Sequence, residues 1–292
     1  MQIVQVGNIY YFIYIFAFFA FTILSLIFLR NKSQKFRNRF IFGLAVLNLF
    51  IHFAKIFIYP YTTVEYIWTK VSFENVCAVS ALTFPFLYFV KNKTIKDYMI
   101  LVGISSGILT FIFPVDAMSE YFNGAILGYK GAFSIEVIRF YTSHFLIFLV
   151  PFLMMQYKFH TVSIKRAYRA PLMLILVLVI IYINELVITA LGWVPREQLY
   201  SPDYRNPSFI FGVRGDLTGL GAILGAFVPM FLRVHPVTGE LFYWPVLWLA
   251  IPAFIYGSLF TIILMVVYDG KNTKLYFQRI FRMHPKEQKI IE

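Results

Sequence analysis

The chain has 292 residues, 60% of them hydrophobic and only 14% charged, with a formal net charge of +12. A soluble domain of this length keeps a largely polar exterior, so such a composition excludes the soluble globular classes. The positive residues are divided among separate loops rather than gathered on one continuous face, which excludes a nucleic-acid-binding surface and assigns the charge to topology and anionic headgroups.

Runs of about 20 apolar residues, each long enough to cross roughly 30 Å of hydrocarbon, recur along the sequence. Seven spans are expected, over roughly 10–29, 40–59, 75–90, 98–114, 138–157, 170–193 and 243–268. The first is too long for a signal-peptide core and no Ala-x-Ala site follows it, so it reads as a span. Basic residues orient the set. Arg30, Lys32, Lys35, Arg37 and Arg39 follow the first span, Lys91, Lys93 and Lys96 the third, and Lys158, Lys165, Arg166 and Arg169 the fifth. Lys271, Lys274, Arg279, Arg282, Lys286 and Lys289 follow the last. The rule that basic loops stay in the cytoplasm then places the N-terminus outside and the C-terminus inside.

Residues 217–232 form a further apolar stretch inside an outer insertion of about 195–242. An eighth crossing there would put the basic tail outside, so the stretch reads as a re-entrant or interfacial helix. Gly215 with Gly219, and Gly221 with Gly225, give the small-xxx-small spacing that lets helices approach closely. The expected architecture is an all-α polytopic membrane bundle. It forms a single domain over 1–292, with a basic cytoplasmic tail over 269–292. No metal-type cysteine spacing and no phosphate-binding loop occur, and Gly219-Leu220-Gly221 with Gly225 misses the dinucleotide spacing, so no cofactor and no metal are expected.

Titratable groups inside spans are costly and by default mark function. Here they gather at one depth. His52 and Lys55 lie near the outer end of the second span, and Asn75 and Cys77 at the outer start of the third. Arg139, Ser143 and His144 fall in the first two turns of the fifth, and Asn184 and Glu185 about eight residues below the outer end of the sixth. At a rise of 1.5 Å per residue, all lie within the outer ~12 Å. Lys55 and Arg139 are near enough to the surface to snorkel. Glu185 needs a partner, for which Lys55 or His52 are available, or it orients an imidazole.

Cys77, the one cysteine, has no partner for an intramolecular disulfide. With His144 it suits acyl transfer: imidazole takes the thiol proton and the thiolate attacks an ester carbonyl. Asn75, Asn184, Ser143 or a backbone N–H are the candidate oxyanion donors, and Glu185 the candidate third member. Asn206, Arg214 and Asp216 are placed to meet a headgroup.

A family likeness rests on Asn75-Val76-Cys77, then Pro85, Lys91-Asn92-Lys93, Gly103 and Phe113-Pro114-Val115-Asp116, together with Phe140-Tyr141-Thr142-Ser143-His144. This pattern resembles that of YwaF-type bacterial integral membrane proteins, and Asn206-Pro207-Ser208-Phe209 is weakly similar to a further element of theirs. The same family includes the eukaryotic transmembrane protein 164, a cysteine-dependent phospholipid acyltransferase. The resemblance implies Cys77 as nucleophile and His144 as its partner. Asn75 stands where the family has a histidine, and Phe73 where it has a proline.

The expected function is a lipid acyltransferase or lipid hydrolase with a Cys-His pair near the outer leaflet, acting on membrane lipids, phospholipid above all, in a bacterial plasma membrane. The alternative is a non-enzymatic transporter, receptor or binding subunit whose polar layer is a cavity.

Overall fold

The computed structural model describes residues 3–114, 116–118, 131–202, 207–213 and 217–282. Six of its helices are long and apolar enough to cross a membrane. They are α1 (Ile9–Leu29), α2 (Gln34–Ala54), α4 (Lys93–Ile112), α5 (Ile135–Gln156), α6 (Arg169–Ala190) and α8 (Leu247–Arg282). Among the described residues there is no strand, only an isolated bridge between Val234 and Leu241.

The span expected at 75–90 is a helix of 12 residues, α3 (Val76–Leu87), about 18 Å long. Its start is fixed by Asn75, whose Oδ1 accepts the Ala78 N–H at 2.8 Å. Pro85 lies in its last turn, after which the chain tightens through Phe89 and Val90. The segment still runs antiparallel along most of α2. Glu74 meets Lys55 at one end, and at the other the Tyr88 hydroxyl donates to Asn38 Oδ1 at 2.7 Å. The backbone there stays satisfied through bonds to carbonyls three residues back, from Phe89 to Phe86 and from Val90 to Leu87.

Capping residues also move the other boundaries. α4 begins at Lys93, earlier than hydropathy suggests, because Asn92 Oδ1 accepts the Thr94 N–H at 2.8 Å. α5 begins at Ile135 beneath Ser134, which accepts from Val137 N. Between α2 and α3 the chain folds into three short 3₁₀ turns that close over one end of the bundle.

The tightest helix contact is between α4 and α5. A Cβ on Gly103 would lie 2.5 Å from Pro151 Cγ, and one on Gly107 2.4 Å from Phe148 Cβ. These two positions, four apart, provide the close approach that small residues permit. Gly219, Gly221 and Gly225 do not. Gly215 lies outside the described residues, Gly219 faces open space, and Gly225 meets only the flexible end of Arg233. The apolar stretch at 217–232 holds one short helix, α7 (Thr218–Gly225), and a 3₁₀ turn at Met230–Leu232, with Pro229 between them.

α1 is peripheral. It buries Tyr14, Phe18 and Leu29 and leaves Phe16 75% exposed. α8 kinks at Asp269 (φ −142°, ψ 41°), where the expected span ends and the basic tail begins, and remains helical to Arg282. Lys286 and Lys289 lie outside the described residues. The basic loops gather at one end of the bundle. There Asp97, 2% exposed, holds His160 Nε2 and Arg166 Nε, each at 2.7 Å. This clamp joins α4 to the α5–α6 connection, and the sequence reading did not single it out.

Candidate functional site

At the opposite end, α2, α3, α4, α5 and the segment 207–213 surround a cavity of about 310 Å³. Seven of the nine polar residues expected at one depth line it: Cys77, His144, Asn75, His52, Lys55, Arg139 and Ser143. Asn184 and Glu185 do not. Asn184 donates to Ser72 Oγ at 3.1 Å, and Glu185 is fully buried on α6.

Cys77 is the second residue of α3, so its side chain leaves the helix where the first backbone N–H groups point outward. His144 lies on the cavity face of α5. Its Nδ1 is 2.8 Å from the Phe140 carbonyl. A carbonyl only accepts, so Nδ1 carries the hydrogen and Nε2 of the neutral ring carries the lone pair. Among the described residues Nε2 has no hydrogen-bond partner, and no direct bond joins it to the thiol. The role foreseen for Glu185, orienting an imidazole, is filled for His144 by the carbonyl one turn back on its own helix. His52 is likewise tied to backbone, with Nε2 3.2 Å from the Val71 carbonyl.

Lys55 and Arg139 do not snorkel. Lys55 is 5% exposed and its Nζ lies 3.3 Å from Glu74 Oε1, while Lys70 approaches the other oxygen at 3.6 Å. Arg139 grips Glu136 with both arms of its guanidinium, at 2.5 and 2.6 Å. The Tyr61 hydroxyl donates to Glu136 Oε1 at 2.8 Å. Burial, and after it the Glu136 carboxylate, holds the Tyr61 phenol well above its ordinary range, so it remains a donor. Carrying Arg139 to the surface would leave the Glu136 carboxylate, 1% exposed, without that counter-charge, which is the costlier arrangement. Lys55 pairs with Glu74, and not with Glu185. Glu74, Glu136 and Tyr61 were missing from the sequence reading. The i, i+3 spacing of Glu136 and Arg139 was the available signal.

The expected oxyanion donors are partly committed elsewhere. Ser143 gives its hydroxyl hydrogen to Asn48 Oδ1 at 2.8 Å. Asn75 uses Oδ1 as the cap of α3, while its amide nitrogen has no partner among the described residues. Asparagine at that position is explained by the cap itself, since its short amide accepts from the helix N-terminus better than most side chains.

The segment 207–213 roofs the cavity. Ser208 Oγ accepts the Val76 N–H at 2.9 Å, and Trp248 Nε1 donates to the carbonyls of Phe209 and Ile210 at 3.0 and 3.1 Å. Ser208 and Phe209 both adopt left-handed backbone (φ 54° and 63°), a conformation that persists only where surrounding contacts impose it. Gly212, at φ 116°, lies flat on Tyr243, where a Cβ would meet the ring at 2.3 Å. Asn206, Arg214 and Asp216, foreseen at a headgroup, lie outside the described residues.

A family model described as the TMEM164 family matches residues 4–203. No curated protein and no solved structure matches the chain.

Proposed function

We propose that this chain, which belongs to the TMEM164 family, transfers or hydrolyses a lipid acyl chain with Cys77 as nucleophile and His144 as base. The observation that carries the reading is their shared cavity, with the thiol at a helix N-terminus and the lone pair of His144 Nε2 uncommitted.

The chemistry balances with these two groups. Nε2 takes the thiol proton, and the thiolate sulfur bonds to the carbonyl carbon of a lipid ester. Collapse of the tetrahedral species breaks the carbon–oxygen bond, and the imidazolium returns its proton to the departing alkoxide, releasing the lysolipid. A second alcohol or a water then attacks the thioester with His144 again as base, which restores the thiol. The negative oxygen of each tetrahedral species would face the Asn75 amide and the start of α3, where backbone dipoles favour negative charge. A separation without a direct hydrogen bond is compatible with this reading, because catalytic bonds commonly tighten only when substrate is bound. Lys55 and Arg139, both in the cavity lining, are the groups this reading assigns to a phosphate-bearing headgroup. The positive-inside argument supports chemistry at the non-cytoplasmic leaflet, and the reading takes the membrane to be a plasma membrane.

The test is turnover of a phospholipid labelled in its acyl chain by purified protein, its Cys77→Ala and Cys77→Ser variants, and His144→Gln. Activity is expected to fall to background in both cysteine variants and by at least a hundredfold in His144→Gln. Equal turnover in all four sinks the nucleophile assignment. The buried ion network favours a second reading, in which the cavity belongs to a transporter, receptor or binding subunit and is only a binding site. Lipid binding that is equal in parent and Cys77→Ala, with turnover in neither, would select that reading.

A further inference from the structure

We propose that a second, separate site binds the acyl chain of a membrane lipid in the groove between α1 and α5, with the Tyr141 hydroxyl donating to an oxygen of that lipid. The proposal does not depend on the acyl-transfer chemistry, because the groove lies on a different face of α5 from the thiol cavity. Arg139, Phe140, Ser143 and His144 line the cavity, whereas Tyr141, Thr142 and Phe145 line the groove.

The groove holds about 350 Å³, within the range of sites that accept a small ligand. Phe18 and Phe21 of α1, Leu47 of α2, Phe111 of α4 and Phe145 of α5 make its walls almost wholly apolar. These five residues belong to four helices long and apolar enough to cross a membrane, which assigns the groove to hydrocarbon depth, where the available occupant is a lipid chain. α1 has turned most of its own apolar surface away from the bundle, which leaves the groove open between helices rather than filled by side chains.

Tyr141 marks where the polar part of the ligand would sit. The other hydroxyls of the wall are satisfied within the protein: Tyr14 donates to the Ala132 carbonyl at 2.7 Å and Thr142 to that of Ile138 at 2.8 Å. Tyr141 is 3% exposed, is stacked on Tyr14 at 3.8 Å between ring centroids, and its hydroxyl has no partner among the described residues. A buried hydroxyl without an acceptor is unfavourable, and a ligand oxygen at the groove would supply one. It lies in the second turn of α5, near one end of that helix, and is therefore assigned to the carbonyl end of the chain rather than its methyl end.

The full chain is reconstituted in phosphatidylcholine vesicles doped with a phosphatidylcholine carrying a diazirine on its acyl chain, and cross-links are mapped by mass spectrometry. Labelling of residues 138–146 is expected to exceed that of the lipid-facing 180–187 segment of α6 at least threefold. Tyr141→Phe, which removes only the hydroxyl, is expected to reduce labelling at 138–146 at least threefold, and Ala17→Trp, which fills the groove, to abolish the excess. Cys77→Ala should leave the pattern unchanged. A diazirine fatty acid that labels 138–146 where the phospholipid does not would assign the groove to free fatty acid, with the same donor. Labelling at 138–146 no greater than on α6, or insensitive to both substitutions, overturns the site, as does its loss in Cys77→Ala.

Discussion

Arg139 and Lys55 are each held at one end of the bundle by a carboxylate that is itself buried or half-buried. Removing Arg139 strands Glu136, whereas Glu74 keeps Lys70 at 3.6 Å when Lys55 is removed. Arg139→Gln is therefore expected to cost about 3–5 kcal/mol of stability by leaving Glu136 uncompensated, while Glu136→Gln with Arg139→Gln should recover much of that loss. Unfolding of the detergent-solubilised protein checks both. Asp97→Asn, at the far end of the bundle, is expected to lower stability by a similar amount, because Arg166 and His160 both converge on that carboxylate. At this scale the sequence was legible for rare residues and poor for common ones. Cys77 and His144 stand out by type and depth, and both reach the cavity. Glu74 and Glu136 resemble ordinary loop and cap carboxylates until the fold brings a cation against each. The atom that orients His144 is a backbone carbonyl, which no side-chain pattern encodes.

Helix approach decides the geometry of the cavity. α4 and α5 touch through Gly103 and Gly107, and the same two helices bring Thr110 and His144 to the cavity wall. Gly107→Ala is expected to destabilise the bundle by about 1–3 kcal/mol, the usual range for overpacking a tight contact, and to lower turnover more than Gly43→Ala, whose added carbon meets nothing. Thermal unfolding and labelled-lipid turnover of the two variants, side by side, measure this. Hydropathy located the six long helices because each keeps an apolar surface over a full membrane thickness. It overestimated the helix length in α3, whose short helix is followed by turns packed on α2, and in the 217–232 stretch, where Pro229 breaks the helix. Glycine spacing alone pointed to the wrong segment, since close approach depends on what faces the glycine.

For the molecule as a whole, charge and fold agree: the loops rich in lysine and arginine share one end, and the cavity occupies the other. In a Cys77→Ala background, single cysteines at Lys32 and Lys271 are expected to react with an impermeant maleimide from one side of sealed vesicles, and one at Arg196 from the opposite side. Arg196 reacting together with Lys32 would overturn the topology. The roof over the cavity has a practical consequence. The sequence contains one thiol, and that thiol sits beneath a segment pinned by Ser208 and Trp248. Its rate of chemical modification is thus a built-in clock for how often the roof lifts. Ser208→Ala, which costs about 1 kcal/mol of anchoring, should quicken modification by an added maleimide about fivefold. The residue that is the candidate nucleophile thereby doubles as the molecule's own reporter of access.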